Sequence, residues 1–398
     1  MIVPKLRFSE FKDEWQIEKL GDLVTIKSGY SPSKYDLKSF GEIPFLKVDE
    51  LNNCDKYQEK SRFYSDSNKD MISKDSVIFP KRGAAILNNK VRILKVPALL
   101  DSNLMALTFN PKQNPEFYYY LINKIELFKI ADTSTIPQIN NKHIEPYEVF
   151  TTTNEEQTKI AEFLSAVDDK ISQLSRQLEL LNQYKKGVMQ KIFSQEIRFK
   201  NDNGEDFGEW EEVKFSDIFI EIKDKVGNKN IETYSITAGK GFVSQSEKFG
   251  RDISGRQNEN YIVLDDNDFS YNKGNSKTYK FGCVYLNNTG QLIAVPNVFI
   301  SFRAKKNNIA HNFYAKLFEY HYLDKYLRQL ISSSARMDGL LNISKEGFFE
   351  IPLPFPSKPE QEKIAEFLAA IDERIDHTTA QLTHTKQWKK GLLQQMFV

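Results

Sequence analysis

A segment of forty residues occurs twice in this chain, and this repeat constrains the fold more than any other feature. Residues 155–194 read EEQTKIAEFLSAVDDKISQLSRQLELLNQYKKGVMQKIFS, and residues 359–398 read PEQEKIAEFLAAIDERIDHTTAQLTHTKQWKKGLLQQMFV. The two copies align without a gap and are identical at 19 of 40 positions. Such identity at one fixed offset indicates a tandem duplication. The chain therefore alternates a variable domain with a repeated segment, twice.

Shorter matches precede each copy and extend the duplication over the whole chain. Between them the two halves diverge, so we predict variable domains at residues 1–150 and 196–352 and spacer helices at residues 151–195 and 353–398. The matched anchors are Leu6-Arg7-Phe8 with Ile197-Arg198-Phe199, Trp15 with Trp210, and Leu20-Gly21-Asp22 with Phe215-Ser216-Asp217.

The repeated segment is predicted to form one long helix in a coiled coil. Mostly apolar residues recur every seven positions in two series, and neither copy can bury this stripe alone, so we expect the copies to pair antiparallel. Each helix would be a rod of roughly 60 Å. In the first copy the series are Ile160, Val167, Leu174, Leu181, Val188 and Leu164, Ile171, Leu178, Lys185, Ile192. In the second they are Ile364, Ile371, Leu392 and Leu368, Ile375, Leu382, Met396, with polar breaks at Thr378, Thr385 and Lys389.

Composition excludes several classes of protein. Hydrophobic residues make up 40% of the 398 residues, which is enough to fill cores and argues against a disordered chain. The net charge of +1 excludes a protein that coats nucleic acid by bulk charge and is compatible with local basic surfaces. Two cysteines cannot form a disulfide framework. The length of the chain indicates at least two domains. Because no apolar run suits a signal peptide or a membrane span, we expect a cytoplasmic protein that binds no membrane.

Each variable domain mixes short strands with helices. Strand-like runs at 76–79, 98–100 and 260–264 are bounded by Gly, Asn, Asp and Pro, and helical stretches follow at 115–130 and 309–332. We therefore predict an α+β fold. It consists of two mixed α/β domains separated by two long helices, which pair as an antiparallel coiled coil in a pseudo-two-fold arrangement.

The sequence offers no catalytic or metal site. It lacks both the G-x-x-x-x-G-K-[ST] and the G-x-G-x-x-G nucleotide-binding motifs. Asn114-Pro115-Glu116-Phe117 is one residue short of the Asn-Pro-Pro-Phe signature of amino-group methyltransferases, and its glutamate would put charge where the target base stacks. We interpret it as a helix start. His377 and His384 lie on the flank of the predicted coiled coil without a third ligand nearby. We predict that this chain binds no cofactor.

Matched polar loops in the two variable domains are candidates for DNA contacts. Cationic and amide side chains on a glycine-containing loop suit phosphate and base-edge contacts. For either loop taken alone, an ordinary polar loop without a ligand is the better interpretation. Because the two loops occupy the same place after a strand, we weigh DNA binding and an ordinary loop equally. The candidates after a strand are Lys81, Arg82, Asn88 and Lys90 in the first domain, and Tyr271, Lys273, Asn275, Ser276 and Lys277 in the second. A second matched pair of segments, 133–138 and 332–336, lies ahead of each connector to a long helix and carries Gln138, Ser334 and Arg336. These segments could contact DNA, or they could merely end a helix.

The repeated segments resemble those of a known family. Glu-Gln-x-Lys-Ile-Ala-x-Phe-Leu begins them at 156–164 and 360–368, and Lys-Lys-Gly follows at 185–187 and 389–391. With the two-fold plan, these motifs resemble the DNA-specificity subunit of type I restriction–modification enzymes over the whole chain. The resemblance implies that each variable domain reads one half of a split site in double-stranded DNA, with the helices as a spacer.

The same resemblance implies partners that carry the chemistry. Two modification subunits would form an adenine methyltransferase that uses S-adenosylmethionine, and restriction subunits would add translocation and cleavage that need ATP and Mg²⁺. Two other readings stay open. A coiled-coil scaffold whose end domains bind proteins would explain the repeats but not the divergence of the domains between them. A self-contained nuclease or methyltransferase would need motifs that the sequence lacks.

Overall fold

The computed structural model describes residues 2–67, 69–237, 239–249, 255–274, 279–305, 308–331 and 340–398, with backbone alone at 248–249 and 255–257. The chain forms two compact units. Unit 1 comprises Met1–Arg176 with Thr379–Val398, and unit 2 comprises Gln177–Thr378. No helix in the described part is both long and apolar enough to cross a membrane.

Unit 1 is built from short strands around one central sheet. Its strands are β1 (Gln16–Lys19), β2 (Val24–Ser28), β3 (Ile43–Leu46), β4 (Tyr57–Gln58), β5 (Tyr64–Ser65), β6 (Val77–Pro80), β7 (Arg92–Leu94), β8 (Leu99–Leu100), β9 (Leu104–Phe109) and β10 (Glu148–Thr151). The central sheet has the order β2-β9-β6-β7-β4, β5-β3-β8 forms a second sheet, and β1 pairs with β10. All neighbours are antiparallel except the parallel pairs β3-β8 and β4-β7.

The helices that begin in unit 1 are short apart from α3 and α6. They are α1 (Leu20–Leu23), α2 (Ala84–Leu87), α3 (Pro115–Ile125), α4 (Leu127–Ile130), α5 (Asn141–Ile144) and α6 (Asn154–Phe193), with 3₁₀ turns at Pro32–Lys34 and Val48–Asn52. The predicted boundary at 150/151 falls inside β10, whose pairing with β1 extends the first domain to Thr151.

Unit 2 repeats this plan with different side chains. Its strands are β11 (Glu211–Lys214), β12 (Phe219–Glu221), β13 (Tyr234–Thr237), β14 (Gly241–Ser244), β15 (Ile262–Leu264), β16 (Phe269–Asn272), β17 (Cys283–Leu286), β18 (Ile293–Val295), β19 (Ile300–Ala304) and β20 (Pro352–Phe355). The helices that begin in unit 2 are α7 (Phe215–Ile218), α8 (Gln245–Phe249), α9 (His311–Glu319), α10 (Asp324–Leu330), α11 (Lys345–Phe349) and α12 (Lys358–Gln395), with a 3₁₀ turn at Gly255–Asn260.

The two units share their sheet topology. The order β2-β9-β6-β7 in unit 1 corresponds to β12-β19-β16-β17 in unit 2, and β1-β10 corresponds to β11-β20. The matched anchors occupy equivalent places, because Leu20 N donates to Tyr147 O at 2.8 Å and Phe215 N donates to Ile351 O at 2.8 Å. The duplication is therefore one of structure as well as of sequence.

The predicted helical stretches of the variable domains are each interrupted once. Glu126 has a φ of 71° between α3 and α4, and His321 has a φ of 62° between α9 and α10. This left-handed conformation cannot continue an α-helix, so each stretch ends one helix and starts another. The periodicity of apolar residues carries no sign of such a break.

The two repeated segments are the long helices α6 and α12, and they run antiparallel. Unit 1 contains the first part of α6 with the last part of α12, and unit 2 contains the reverse combination. Every position of the two predicted seven-residue series is buried or half-buried, including the polar breaks, whereas His377 and His384 are exposed. The α+β fold with paired long helices is confirmed.

The buried stripe along which the long helices pack is their seam, and one lysine on it forms an ion pair with the other helix in each unit. Lys389 forms an ion pair with Asp168 in unit 1, and Lys185 forms one with Asp372 in unit 2. Lys185 and Lys389 occupy the same position of the repeat, as do Asp168 and Asp372. Each repeat thus supplies the cation to one unit and the carboxylate to the other.

Buried charged and polar residues join the long helices to the domains. Arg7 contacts Glu156 through Nε at 2.7 Å and through Nη2 at 2.8 Å, and Glu156 is 1% exposed. In unit 2 Arg198 contacts the buried Glu360 in the same way, with a closest distance of 2.9 Å. Because an unpaired buried carboxylate is costly, these arginines fix where the repeated helices start.

Candidate nucleic-acid interface

The two polar loops that the sequence proposes in the first domain lie side by side. Lys81 and Arg82 follow β6 directly, and Arg82 pairs with Gln138 in an isolated antiparallel bridge. Gly83 N donates to Pro137 O at 2.8 Å, and Ile139 N donates to Lys81 O at 2.9 Å. Sequence reasoning placed these residues in separate loops, and the structure joins them into one edge.

The second of these loops, residues 132–138, is closed at its base and exposed at its tip. Asp132 and Gln138 exchange two backbone hydrogen bonds, of 2.9 and 3.0 Å. The Asp132 carboxylate accepts from the Ser134 backbone and hydroxyl, and these bonds lower the pKa of Asp132. At the tip, Ile136 is 72% exposed. A loop tied at both ends in this way can present its tip to a ligand without first being ordered.

The two cations at the end of β6 differ in environment. Arg82 is exposed, and its guanidinium has no partner among the described residues. Lys81 is half-buried, and its pKa is lowered by burial and by the neighbouring Arg82, while Asp101 opposes the shift. Arg82 is therefore free to form a bidentate contact with a phosphate or a guanine, whereas Lys81 is partly committed to the protein.

The other candidates of the first domain are less available. Asn88 is exposed and ends α2. Lys90 is half-buried and donates to the side-chain oxygen of Asn52. Asn89, which the sequence did not single out, is structural: it donates to Asn123 O at 3.2 Å and accepts from Leu127 N at 2.8 Å.

Unit 2 forms the equivalent edge at the equivalent place. β16 corresponds to β6, and Leu341 N donates to Lys273 O at 3.0 Å, as Ile139 N does to Lys81 O. Gly274 pairs with Leu340 in an isolated bridge, as Arg82 does with Gln138. Lys273 is therefore the counterpart of Lys81, and Gly274 is the counterpart of Arg82. Asn275, Ser276, Lys277, Ser334 and Arg336 lie outside the described residues.

Tyr271 is not available for a DNA contact, which corrects its place among the candidates. It lies within β16 and not in the loop after it, it is 0% exposed, and its ring stacks on Phe348 at 5.0 Å. Its hydroxyl donates to Phe281 O at 2.7 Å. An aromatic residue at the end of a strand was taken for the start of a loop. Its buried ring is part of the hydrophobic core of unit 2.

Residues that resembled catalytic motifs have structural roles. Asn114 caps α3, because its side-chain oxygen accepts from Glu116 N at 2.9 Å and Phe117 N at 3.2 Å. Glu116 forms an ion pair of 2.9 Å with the buried Lys56. Among the residues that can be described, no cluster of three His, Cys, Asp or Glu side chains could hold a metal ion.

Sequence reasoning missed two buried glutamines that join the long helices to the domains. Gln157 Oε1 accepts from Asn114 N at 2.8 Å, and Gln361 Oε1 accepts from Ala310 N at 2.9 Å. Both glutamines are 0% exposed. They connect the start of each long helix to the start of the main helix of its domain. The signal was present, because Gln157 and Gln361 are among the identical positions of the repeat.

Comparison with known proteins places this arrangement in one family. The family model described as the type I restriction modification DNA specificity domain matches the chain twice, at residues 12–183 and 208–385. The specificity subunit of the type I restriction enzyme MjaVIII from Methanocaldococcus jannaschii is 24% identical, over 96% of this chain and 91% of its own length.

Solved structures with the same fold carry similar descriptions. The S subunit of a type I restriction–modification system from M. genitalium superposes with a TM-score of 0.58 at 17% identity, covering 100% of this chain and 99% of that one. A chain from a study of complex assembly and conformational transition of the type I R-M system gives a TM-score of 0.55 at 13% identity. That match covers 96% of this chain and 97% of the other.

Proposed function

Because this chain belongs to the type I restriction–modification DNA specificity family, we propose that it is the non-catalytic subunit that selects the DNA sequence for a type I enzyme. The observation that carries the proposal is the matched edge of the two units. In each, the loop after one central strand is bonded to the segment that precedes the last strand of the domain. One scaffold holds two different sets of side chains in equivalent places, which suits two readers of different half-sites.

The edge of unit 1 has the chemistry of a DNA contact. Arg82 offers five donors on an exposed fork, and Gln138 offers an amide beside it. Arginine recognises guanine in the major groove, and glutamine recognises adenine. We infer that the edges at 81–83 and 132–138 in unit 1 and at 273–274 and 340–341 in unit 2 face double-stranded DNA.

The chemistry of modification and cleavage resides on partner chains in this proposal. Two modification subunits bind the repeated helices and methylate adenine with S-adenosylmethionine. Restriction subunits add translocation and cleavage that depend on ATP and Mg²⁺. This chain supplies sequence recognition and holds the two readers apart. Its small net charge suits a subunit that shares phosphate contacts with partners.

Sequencing of methylated bases tests the proposal directly. The genome of the source organism is compared before and after deletion of this gene, and again after complementation. We expect one split adenine-methylation motif to disappear on deletion and to return on complementation. An unchanged methylation pattern in a strain whose modification subunit is expressed would contradict the proposal.

A further inference from the structure

An isoleucine stands exposed at the tip of the loop formed by residues 132–138. Ile136 is 72% exposed, and among the large hydrophobic residues that the structure describes only Phe40 is more exposed. Apolar residues scattered singly over a surface are ordinary. Ile136 differs from them in its position, because it lies in the edge that carries Arg82 and Gln138, the two side chains suited to base edges.

The backbone is held by hydrogen bonds on both sides of Ile136. On one side, the Asp132 carboxylate accepts from the Ser134 backbone at 3.0 Å and from its hydroxyl at 2.7 Å. On the other side, Pro137 O accepts from Gly83 N at 2.8 Å. The residue before a proline is kept out of the helical conformation, and a side chain branched at Cβ has few rotamers. The loop therefore presents an apolar side chain in a nearly fixed place, so a contact there costs little entropy.

The alternation of side chains along the edge places Ile136 on the same face as Gln138 and Arg82. Ile139 is 0% exposed and belongs to the core of unit 1. Because successive side chains of an extended chain face opposite ways, Gln138 faces away from this core, and Ile136 shares its face. Residues bridged between neighbouring strands also share a face, and Arg82 is bridged to Gln138. One outward face thus carries an isoleucine, an amide and a guanidinium.

These three groups match what the major groove of DNA presents. Arginine binds guanine through O6 and N7, and glutamine binds adenine through N6 and N7. The apolar group that a base pair presents in this groove is the methyl group of thymine, and apolar side chains contact it. A side chain without a donor or an acceptor forms no hydrogen bond with a phosphate or a base edge. The methyl group is therefore the feature of the groove that suits Ile136.

We propose that Ile136 is a specificity-determining residue that reads the methyl group of a thymine in the half-site bound by unit 1. The inference rests on the proposed function and adds to it a base and the group by which that base is recognised. A thymine is available, because the proposed methylation acts on adenine and adenine pairs with thymine. Contact with the isoleucine removes the methyl group from water, which favours thymine over cytosine at that position.

The edge of unit 2 carries different side chains at the equivalent positions. Gly274 stands at the place of Arg82, and Leu340 stands at the place of Gln138. Neither has a side chain that can donate a hydrogen bond to a base. A methyl group read by Ile136 should therefore affect one half of the split site and leave the other half unchanged.

The test uses the methyltransferase assembled from the full chain and its modification subunits, with duplexes that carry the motif found by methylome sequencing. Each thymine of the two half-sites is replaced in turn by deoxyuridine, which pairs with adenine in the same way and lacks only the methyl group. Fluorescence anisotropy gives the dissociation constant. For the parent chain, we expect one replacement in one half-site to weaken binding by about fourfold, as the loss of one buried carbon implies. Ile136→Ala should weaken binding to the thymine duplex at least as much and should bind both duplexes equally.

Two further variants separate the methyl contact from other effects. Ile136→Val keeps a branched apolar side chain and should keep the preference for thymine. Ile17→Ala is the matched control, because it removes the same kind of side chain at a position that is 50% exposed in the separate sheet of β1 and β10. It should bind both duplexes like the parent. All three variants should keep the melting temperature of the parent, since these side chains lie outside the hydrophobic cores.

A preference for thymine that Ile136→Ala abolishes and Ile17→Ala retains supports the inference. A preference that persists in Ile136→Ala overturns it, even if binding is weaker, because Ile136 would then contact the DNA backbone or a partner subunit. It is also overturned if no replacement affects a parent complex that distinguishes its motif from scrambled DNA. A parent complex that binds the motif and scrambled DNA equally overturns the proposed function instead.

Discussion

Arg82 and Lys81 are adjacent in the sequence, but the Arg82 side chain is exposed and the Lys81 side chain is half-buried. The carbonyl of Lys81 belongs to the edge that joins two loops, and burial lowers the pKa of its ammonium group. Arg82 sits at the bridge to Gln138 with its guanidinium exposed. A residue that reads a base has to be held by its backbone and free at its tip, and Arg82 meets both conditions.

Substitution of Arg82 tests whether it reads a base or a phosphate. Arg82→Ala should weaken binding to the cognate site by ~1–3 kcal/mol and relax specificity at one base pair. Arg82→Lys keeps the charge and loses the bidentate fork, so it should also relax specificity while retaining the salt dependence of binding. Fluorescence anisotropy on the assembled methyltransferase, with single-base variants of the site and a salt series, measures both effects.

Each other outcome assigns Arg82 a different role. Equal weakening on every sequence would mean that Arg82 contacts phosphate. Parent-like affinity, specificity and salt dependence in both variants would remove the edge at 81–83 from the interface.

Single residues were predicted from sequence where their neighbours along the chain determine their role. The seam position of Lys185 followed from its spacing, and its half-buried state agrees. Tyr271 was misplaced because burial depends on Phe348, which lies far along the chain. The approach of Arg82 to Gln138 also depends on a long-range pairing, which no local pattern encodes.

At the scale of elements, the long helices are fixed to the domains by buried pairs. Glu156 in the first turn of α6 meets Arg7, and Glu360 in the first turn of α12 meets Arg198. The rings of Phe8 and Phe163 lie 5.8 Å apart, and those of Phe199 and Phe367 lie 5.3 Å apart. The segment before each domain therefore clamps the helix that leaves it.

Removal of one arginine should show how much this clamp contributes. Arg7→Ala leaves the buried Glu156 without its cation, and we expect it to lower the free energy of unfolding by ~3–5 kcal/mol. Lys159→Ala is the matched control, because Lys159 and Glu10 form an exposed ion pair of 3.6 Å between the same two segments. Its loss should cost less than about 1 kcal/mol. Urea denaturation of the full chain compares the two variants.

The double variant Arg7→Ala with Glu156→Ala separates a broken pair from lost packing. It should be more stable than Arg7→Ala alone, because it no longer leaves a buried charge unpaired. A cost for Arg7→Ala as small as that for Lys159→Ala would show that α6 is held by its apolar contacts instead.

A helix or strand could be predicted from the sequence where the residues that determine it lie close together along the chain. The long helices and the strands near residues 76–79, 98–100 and 260–264 were predicted, because heptad spacing and short apolar runs bounded by turn residues are local signals. The breaks at Glu126 and His321 were not, because they result from backbone conformations that the domain imposes. The order of strands in the sheets also lay beyond the sequence.

At the scale of the whole molecule, one duplicated plan carries two unrelated surfaces. The shared parts are the sheet topology, the arginine clamps and the buried glutamines. The parts that differ include the loops at the two edges. Divergence therefore extends over the two domains that would have to read different DNA sequences, and identity is greatest in the repeated helices.

Exchange of one domain tests whether the two units read DNA independently. We expect replacement of residues 1–153 by the corresponding segment of a related subunit to change one half of the methylated motif and to leave the other half and the gap unchanged. The junction follows Thr151 because β10 has to stay paired with β1, and a cut at 150 would divide that sheet. The replacement has to carry an arginine at the place of Arg7, since Glu156 stays in α6. Methylome sequencing of cells that express the hybrid with the native modification subunit gives the motif. A change in both halves, or in the gap alone, would mean that recognition by one unit depends on the other.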